Sequence, residues 1–205
     1  MKKRLIGLAA LCAAVCLGAA GQVAGEQTGH GFQPIAMKSN TKTPVGARQF
    51  CVERPDECRE ASGGAGPVKL TVGARRQLDT INRRVNGRVT AVTDQDYYGQ
   101  REVWTYPDQG FGDCEDFALE KRRELMRKGW PSSALRMALV RQRNGEAHAV
   151  LLVTTDRGDL VLDNLVADVL DWSQTSYKYV KISSAETLSR WIDVSDDRVV
   201  WVASK

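Results

Sequence analysis

Histidine is nearly absent: the 205 residues hold two, His30 and His148. With five cysteines besides, a structural zinc site needing four nitrogen or sulfur ligands is hard to assemble. Long apolar runs are missing too. The longest, over residues 5–17, falls short of the ~20 residues that span a bilayer. No internal repeat recurs, which excludes a solenoid. Charge of one sign is also lacking, with 29 Lys and Arg against 25 Asp and Glu, so no electrostatic case exists for nucleic acid or an anionic membrane as partner. What remains, 42% hydrophobic and 26% charged residues, is the composition of an ordinary soluble globular chain of about one domain.

The first residues read as a secretory signal peptide over 1–21. Met1-Lys2-Lys3-Arg4 is a positive start, residues 5–17 are apolar, and Gly18-Ala19-Ala20-Gly21 offers a cleavage site. The expected location is therefore periplasmic or secreted. Neither Cys12 nor Cys16 sits in a lipoprotein box, so no stable membrane anchor is expected. Removing the signal takes three of the 29 basic residues and no acid, leaving 26 against 25. It also leaves three cysteines, Cys51, Cys58 and Cys114. In an oxidising compartment the close pair Cys51 and Cys58 is the natural disulfide, and Cys114 is left over.

Residues 22–66 lack periodicity and read as an N-terminal arm carrying the disulfide loop, ahead of a domain over 67–205. Ala74, Leu78, Ile81 and Val85 form one stripe of a helix over 71–86. A second helix is expected from Cys114 to about Lys128, stopped by Gly129 and Pro131. On its wheel Ala118, Leu125 and Phe117 share a stripe with Cys114, while Glu115 and Asp116 point elsewhere. Strands are expected at 135–139, 147–153, 159–165, 177–182 and 199–202, with Ser184 capping a short helix through Trp191. A four-residue connection over 154–157 sets His148 directly opposite Asp163 across a ladder. Helices followed by antiparallel strands make the fold α+β.

A cysteine attacks as thiolate, and a free thiol with a pKa of ~8.5 needs help to ionise at neutral pH. A helix N-terminus and an imidazole each supply it. Cys114 is placed for the first, His148 for the second, and Asp163 can fix the tautomer of His148. The plain alternative is a buried core cysteine, a satisfied histidine beside a strand and a turn-capping aspartate. The backbone N–H of Cys114 is the simplest oxyanion donor. Trp104 and Gln109 are candidates for a second donor, though a core aromatic and a loop residue are the plainer readings of them. The Asn164 amide is a candidate brace for the hairpin.

Gly112-Asp113-Cys114-Glu115-Asp116-Phe117-Ala118, with His148-Ala-Val-Leu and Leu162-Asp163-Asn164-Leu165, resembles the bacterial transglutaminase-like cysteine proteinases. That family includes LapG-type periplasmic proteases that release adhesins. Tyr98-Gly99, Trp104, Pro107 and Gly129-Trp-Pro131 extend the match over about residues 70–183. The Phe50-Cys51 to Cys58 element resembles a subgroup of such proteins better than the adhesin-releasing members. The resemblance implies a papain-like, transglutaminase-type fold, with Cys114 as nucleophile, His148 as general base and acid, and Asp163 as orienting residue. It implies a cell-surface or periplasmic protein substrate cleaved through a thioester, and room for a regulating inhibitor protein. It also implies calcium on Asp113 and Glu115, with Asp116 a further candidate, and clustered carboxylates do suit a hard cation. The same triad serves amide transfer to lysine. A binding module that captures peptide or calcium without turnover is the reading outside enzymes.

Overall fold

The computed structural model describes residues 35–61 and 66–200; the expected signal peptide over 1–21 lies outside them. In chain order the elements are β1 (Ala36–Thr41), α1 (Val45–Glu53), α2 (Val72–Arg88), β2 (Thr90–Ala91), α3 (Asp94–Tyr98), β3 (Phe111–Gly112) and α4 (Cys114–Arg127), then β4 (Leu135–Arg141), β5 (Ala147–Thr155), β6 (Gly158–Leu162), β7 (Leu170–Asp171), β8 (Lys178–Ser183) and β9 (Trp191–Ser195). Seven strands form one antiparallel sheet in the order β1-β9-β8-β4-β5-β6-β7, while β2 and β3 pair separately in parallel. Among the described residues no helix is long and apolar enough to cross a membrane.

Both faces of the sheet are covered, which explains the unbroken apolar run of β5. Leu151 and Val153 of β5, with Leu160 and Leu162 of β6, face the core shared with Leu78, Ile81 and Val85 of α2 and Leu125 of α4. Val150, Leu152 and Val161 face a second core closed by Trp172, Tyr177 and Tyr179. Helix α2 starts where Thr71 accepts a hydrogen bond from the Ala74 N–H at 3.1 Å, an N-cap. Helix α4 stops at Gly129, whose φ of 87° suits glycine. There the Gly129 N–H donates to the Met126 carbonyl and the Trp130 N–H to the Leu125 carbonyl, a Schellman ending.

Four expectations are corrected. From Ile35 onward the stretch read as an arm is part of the body: β1 pairs with β9, and Ala47 and Phe50 of α1 are in the core. The Cys51–Cys58 disulfide is present, and its loop is docked by Arg122 to Glu57 at 3.0 Å and by the Thr187 hydroxyl to the Cys58 carbonyl at 2.6 Å. No helix forms after Ser184, because its hydroxyl accepts from the Thr187 N–H and donates to the Thr187 carbonyl, a local turn that competes with helix. Among the described residues the last strand is Trp191–Ser195; of the strand expected over 199–202, residues 201–202 lie outside them, and Val199 is 87% exposed, whereas Trp191 is fully buried. Finally, β6 ends at Leu162, since the Asp163 carboxylate turns to accept from the Leu165 N–H at 3.0 Å, an Asx turn.

Candidate active site

The β5–β6 turn has two residues, with Thr155 opposite Gly158 and Leu151 opposite Leu162. Extending that register sets Asp163 level with Val150, so His148 is its diagonal neighbour on the same side and not its direct partner. A diagonal pair is still within reach of long side chains. His148 Nε2 lies 2.9 Å from Asp163 Oδ1, and both side chains are buried. Asp163 Oδ2 accepts from the Tyr177 hydroxyl, the Asn86 amide donates to the Asp163 carbonyl at 2.8 Å, and the Tyr177 ring lies 5.4 Å from that of His148. Burial pushes the Asp163 carboxyl up, but the bonds from His148, Tyr177 and Leu165 outweigh it and hold the pKa below its ordinary range.

Cys114 is the first residue of α4 and half-buried. It lines a cavity of about 360 Å³ together with His148, Asp94, Trp104, Asp113 and Glu115. Its thiol donates to Glu115 Oε2 at 3.0 Å. The helix start alone would favour the thiolate, but burial and the charges of Glu115 and Asp113 push the thiol well above its ordinary range. The acids that follow Cys114, expected off its stripe, are themselves buried: Glu115 and Asp116 both lie inside. Gly112 makes room for this inward turn, since a Cβ there would stand 2.7 Å from Asp116 Oδ2.

Carboxylate oxygens of Asp94, Asp113 and Asp116 lie within 4.8 Å of one another, as do ligand atoms of Asp113, Cys114 and Glu115. Asp113 Oδ1 and Asp116 Oδ2 are buried without a hydrogen-bond partner. Burial raises Asp94 to about 6 and Asp116 to about 8; burial raises Asp113, and burial with the charge of Asp113 raises Glu115. Orphaned oxygens in such a cluster are the donor set of a hard cation. Asp94 was not singled out from the sequence, although Thr93 before it is a cap signal. It is tied to the cleft by the Val103 N–H at 2.5 Å, next to Glu102, whose φ of 62° is unusual for a residue with a side chain.

The two candidate second oxyanion donors separate. Gln109 is exposed and accepts from the Tyr97 hydroxyl at 2.5 Å. Trp104 lines the cavity, and its Nε1 is buried without a partner against Gly46, where a built Cβ would stand 2.5 Å away. Asn164 braces nothing through its Oδ1, which has no partner; Asn86, marked in the sequence only as the end of a helix, does the bracing.

The sequence model of the bacterial transglutaminase-like cysteine proteinases matches residues 37–199. Among solved structures, calcium-bound LapG of Legionella pneumophila is similar at 28% identity and a TM-score of 0.50, covering 65% of this chain and 78% of that one. A second structure of the same organism's LapG is 30% identical over 57% of this chain and 67% of that one, with a TM-score of 0.49. None of the curated proteins matches. The family's match takes in both cores, the Cys114 helix and the His148–Asp163 hairpin, and the chain belongs to the bacterial transglutaminase-like cysteine proteinases as a transglutaminase-like cysteine peptidase.

Proposed function

We propose that the chain is an exported endopeptidase that cleaves protein substrates through a thioester on Cys114. The observation that carries this reading is one cavity lined by Cys114 and by His148, the latter already bonded to Asp163. Asp163 occupies Nε2 and leaves Nδ1 of His148 to exchange a proton with the thiol. Sγ of Cys114 attacks the scissile carbonyl carbon, and His148 passes the proton to the leaving amine as the C–N bond breaks. Water, deprotonated by His148, then opens the thioester and frees the acid. The backbone N–H of Cys114, at the helix start, is the oxyanion donor.

Asp94, Asp113 and Asp116 would hold calcium, with Glu115 alongside; their orphaned buried oxygens fit it, and a calcium-bound relative among the similar structures supports the choice. Bound there, the ion supplies the positive charge that the acids around the thiol lack. Export rests on the reading of residues 1–21. The test compares new N-termini across the exported proteome of cells carrying the wild-type chain or Cys114→Ala. Termini that depend on Cys114 are expected, and identical sets would overturn the peptidase reading.

A further inference from the structure

Asp163 is buried, and its two carboxylate oxygens serve different partners. Oδ1 is shared by His148 at 2.9 Å and the Leu165 N–H at 3.0 Å, whereas Oδ2 takes the Tyr177 hydroxyl. The last torsion of an aspartate side chain has a broad, two-fold well. A carboxylate gripped by one oxygen can therefore swing out of the plane in which it meets the imidazole, and a bond on the other oxygen removes that freedom. Tyr177 supplies that bond, and its ring also lies 5.4 Å from the His148 ring, tilted by 56°. One side chain thus meets both the acid and the imidazole.

A core tyrosine in need of an acceptor would also bond to a nearby oxygen, so what decides is how this one is held. Packing alone does not hold it, because Asp163 and Tyr177 together line a cavity of about 150 Å³. The backbone is held instead. Tyr177 ends the loop that follows β7 and leads into β8. Arg198, beyond β9, grips that loop by its carbonyls: Nη1 donates to Trp172 at 2.8 Å, Ser173 at 3.0 Å and Thr175 at 3.2 Å, and Nη2 donates to Tyr177 at 2.6 Å. The guanidinium is itself fixed by Asp196 at 2.8 and 2.9 Å and by the Trp172 ring, whose centroid is 4.4 Å away. Lys178 completes the clasp by donating to the Asp196 and Arg198 carbonyls. Support of this kind, one shell behind the reacting groups, is what holds a site to its working geometry.

We propose that Tyr177 is a positioning residue of the triad: its hydroxyl locks the Asp163 carboxylate through the oxygen that His148 leaves free, and Arg198 buckles the loop that carries it. The inference rests on the triad reading above. Burial and the charge of Asp163 push the phenol well above its ordinary range, so Tyr177 keeps its proton and acts only on where Asp163 and His148 stand.

The test measures the bond and its transmission separately. In the full mature chain, with calcium present, NMR follows the Asp163 carboxyl carbon, and iodoacetamide gives the alkylation rate of Cys114 at neutral pH. Tyr177→Phe keeps the ring against His148 and removes the hydroxyl. It should raise the proton affinity of Asp163 about tenfold and slow alkylation roughly tenfold. Near-UV circular dichroism checks the fold. If Tyr177→Phe does not fold, Arg198→Lys, which keeps the charge and loses the fork that grips the loop, takes its place with shifts of the same sign. An unmoved Asp163 overturns the proposal. A moved Asp163 with alkylation at the wild-type rate makes Tyr177 an ordinary core residue and overturns it too. His148→Ala tests the reading beneath: if it leaves alkylation unchanged, the triad fails and the positioning role with it, whereas a slowed His148→Ala beside an unslowed Tyr177→Phe sinks the positioning role alone.

Discussion

Truncating Asp163 should separate its charge from its geometry. The carboxylate is 3% exposed and accepts from His148 at 2.9 Å, from the Leu165 N–H at 3.0 Å and from the Tyr177 hydroxyl. In Asp163→Ala the buried His148 and Tyr177 donors lose their acceptor, and each such loss costs about 1–3 kcal/mol, so about 2–6 kcal/mol in all. Leu165 is exposed and its N–H can turn to water. In Asp163→Asn the carbonyl oxygen keeps the His148 and Leu165 bonds, which share Oδ1. The amide then faces Tyr177, whose hydroxyl can rotate to accept. Only the charge is lost, a cost of about 1–2 kcal/mol. Urea unfolding at pH 7 measures both, and the rate of Cys114 alkylation by iodoacetamide reports the effect on the thiol. The folded carboxyl is held below its ordinary value of 3.8. Its contribution is therefore present above that value and lost as pH falls through the folded pKa, so the gap between wild type and Asp163→Asn should hold from pH 5 to 8 and close below about 4. Equal destabilisation by Asn and Ala, or a gap that persists in acid, would refute the assignment of these bonds.

Cys114→Ser should abolish cleavage with the melting temperature nearly unchanged, and retained cleavage would remove the thiol from the mechanism. Denatured chain lacking residues 1–21 should titrate one thiol before reduction and three after, given the Cys51–Cys58 bond; a count of three before reduction contradicts it. Calorimetry should detect calcium binding that Asp94→Asn weakens as much as Asp113→Asn does, and an unaffected Asp94→Asn would remove that residue from the site. Two glycine substitutions should move stability in opposite directions. Gly87→Ala in α2 meets open space and should stabilise by about 0.5–1 kcal/mol, whereas Gly46→Ala would bring a Cβ to 2.2 Å from Trp104 Cδ1 and should destabilise by about 1–3 kcal/mol. Thermal melts of both variants check the signs.

Periodic and punctuated segments were legible in the sequence. The apolar stripe marks α2, Gly129 marks the end of α4, and the alternation from Leu135 leads into the central hairpin. Elements held by distant partners were not. Strand β1 has an exposed, polar sequence and exists because β9 pairs with it. Trp191, the first residue of β9, reads as the end of a helix until its burial beside Trp104 is known. In the site, Cys114, His148 and Asp163 were legible as residue types near turns and a helix start, although the register that joins them was off by two residues. The roles of Asp94, Asn86 and Tyr177 were not, because each meets its partner from a separate element of the fold.

The acids beside Cys114 cannot be explained as charges that favour a helix N-terminus. That interaction is worth about 0.3–1 kcal/mol per group and rarely ~2. Holding Asp116 ionised where burial has raised it from 3.8 to about 8 costs on the order of 6 kcal/mol at pH above that value, and Asp113 and Glu115 add to the burden. The dipole term is too small by several-fold. The cluster is therefore protonated or neutralised by a cation. In the first case the acids carry no charge, and the thiol keeps its proton because it is buried. In the second, the repulsion that holds the thiol protonated is removed, and the helix start and His148 are left to act on it. Because the raised pKa values mean that stability is full below about 4 and lost as pH rises through about 8, a chelated sample should melt progressively lower across that window. Added calcium should recover the loss most at its alkaline end, and a calcium response of equal size at pH 5 and pH 8 would separate the ion from these carboxylates.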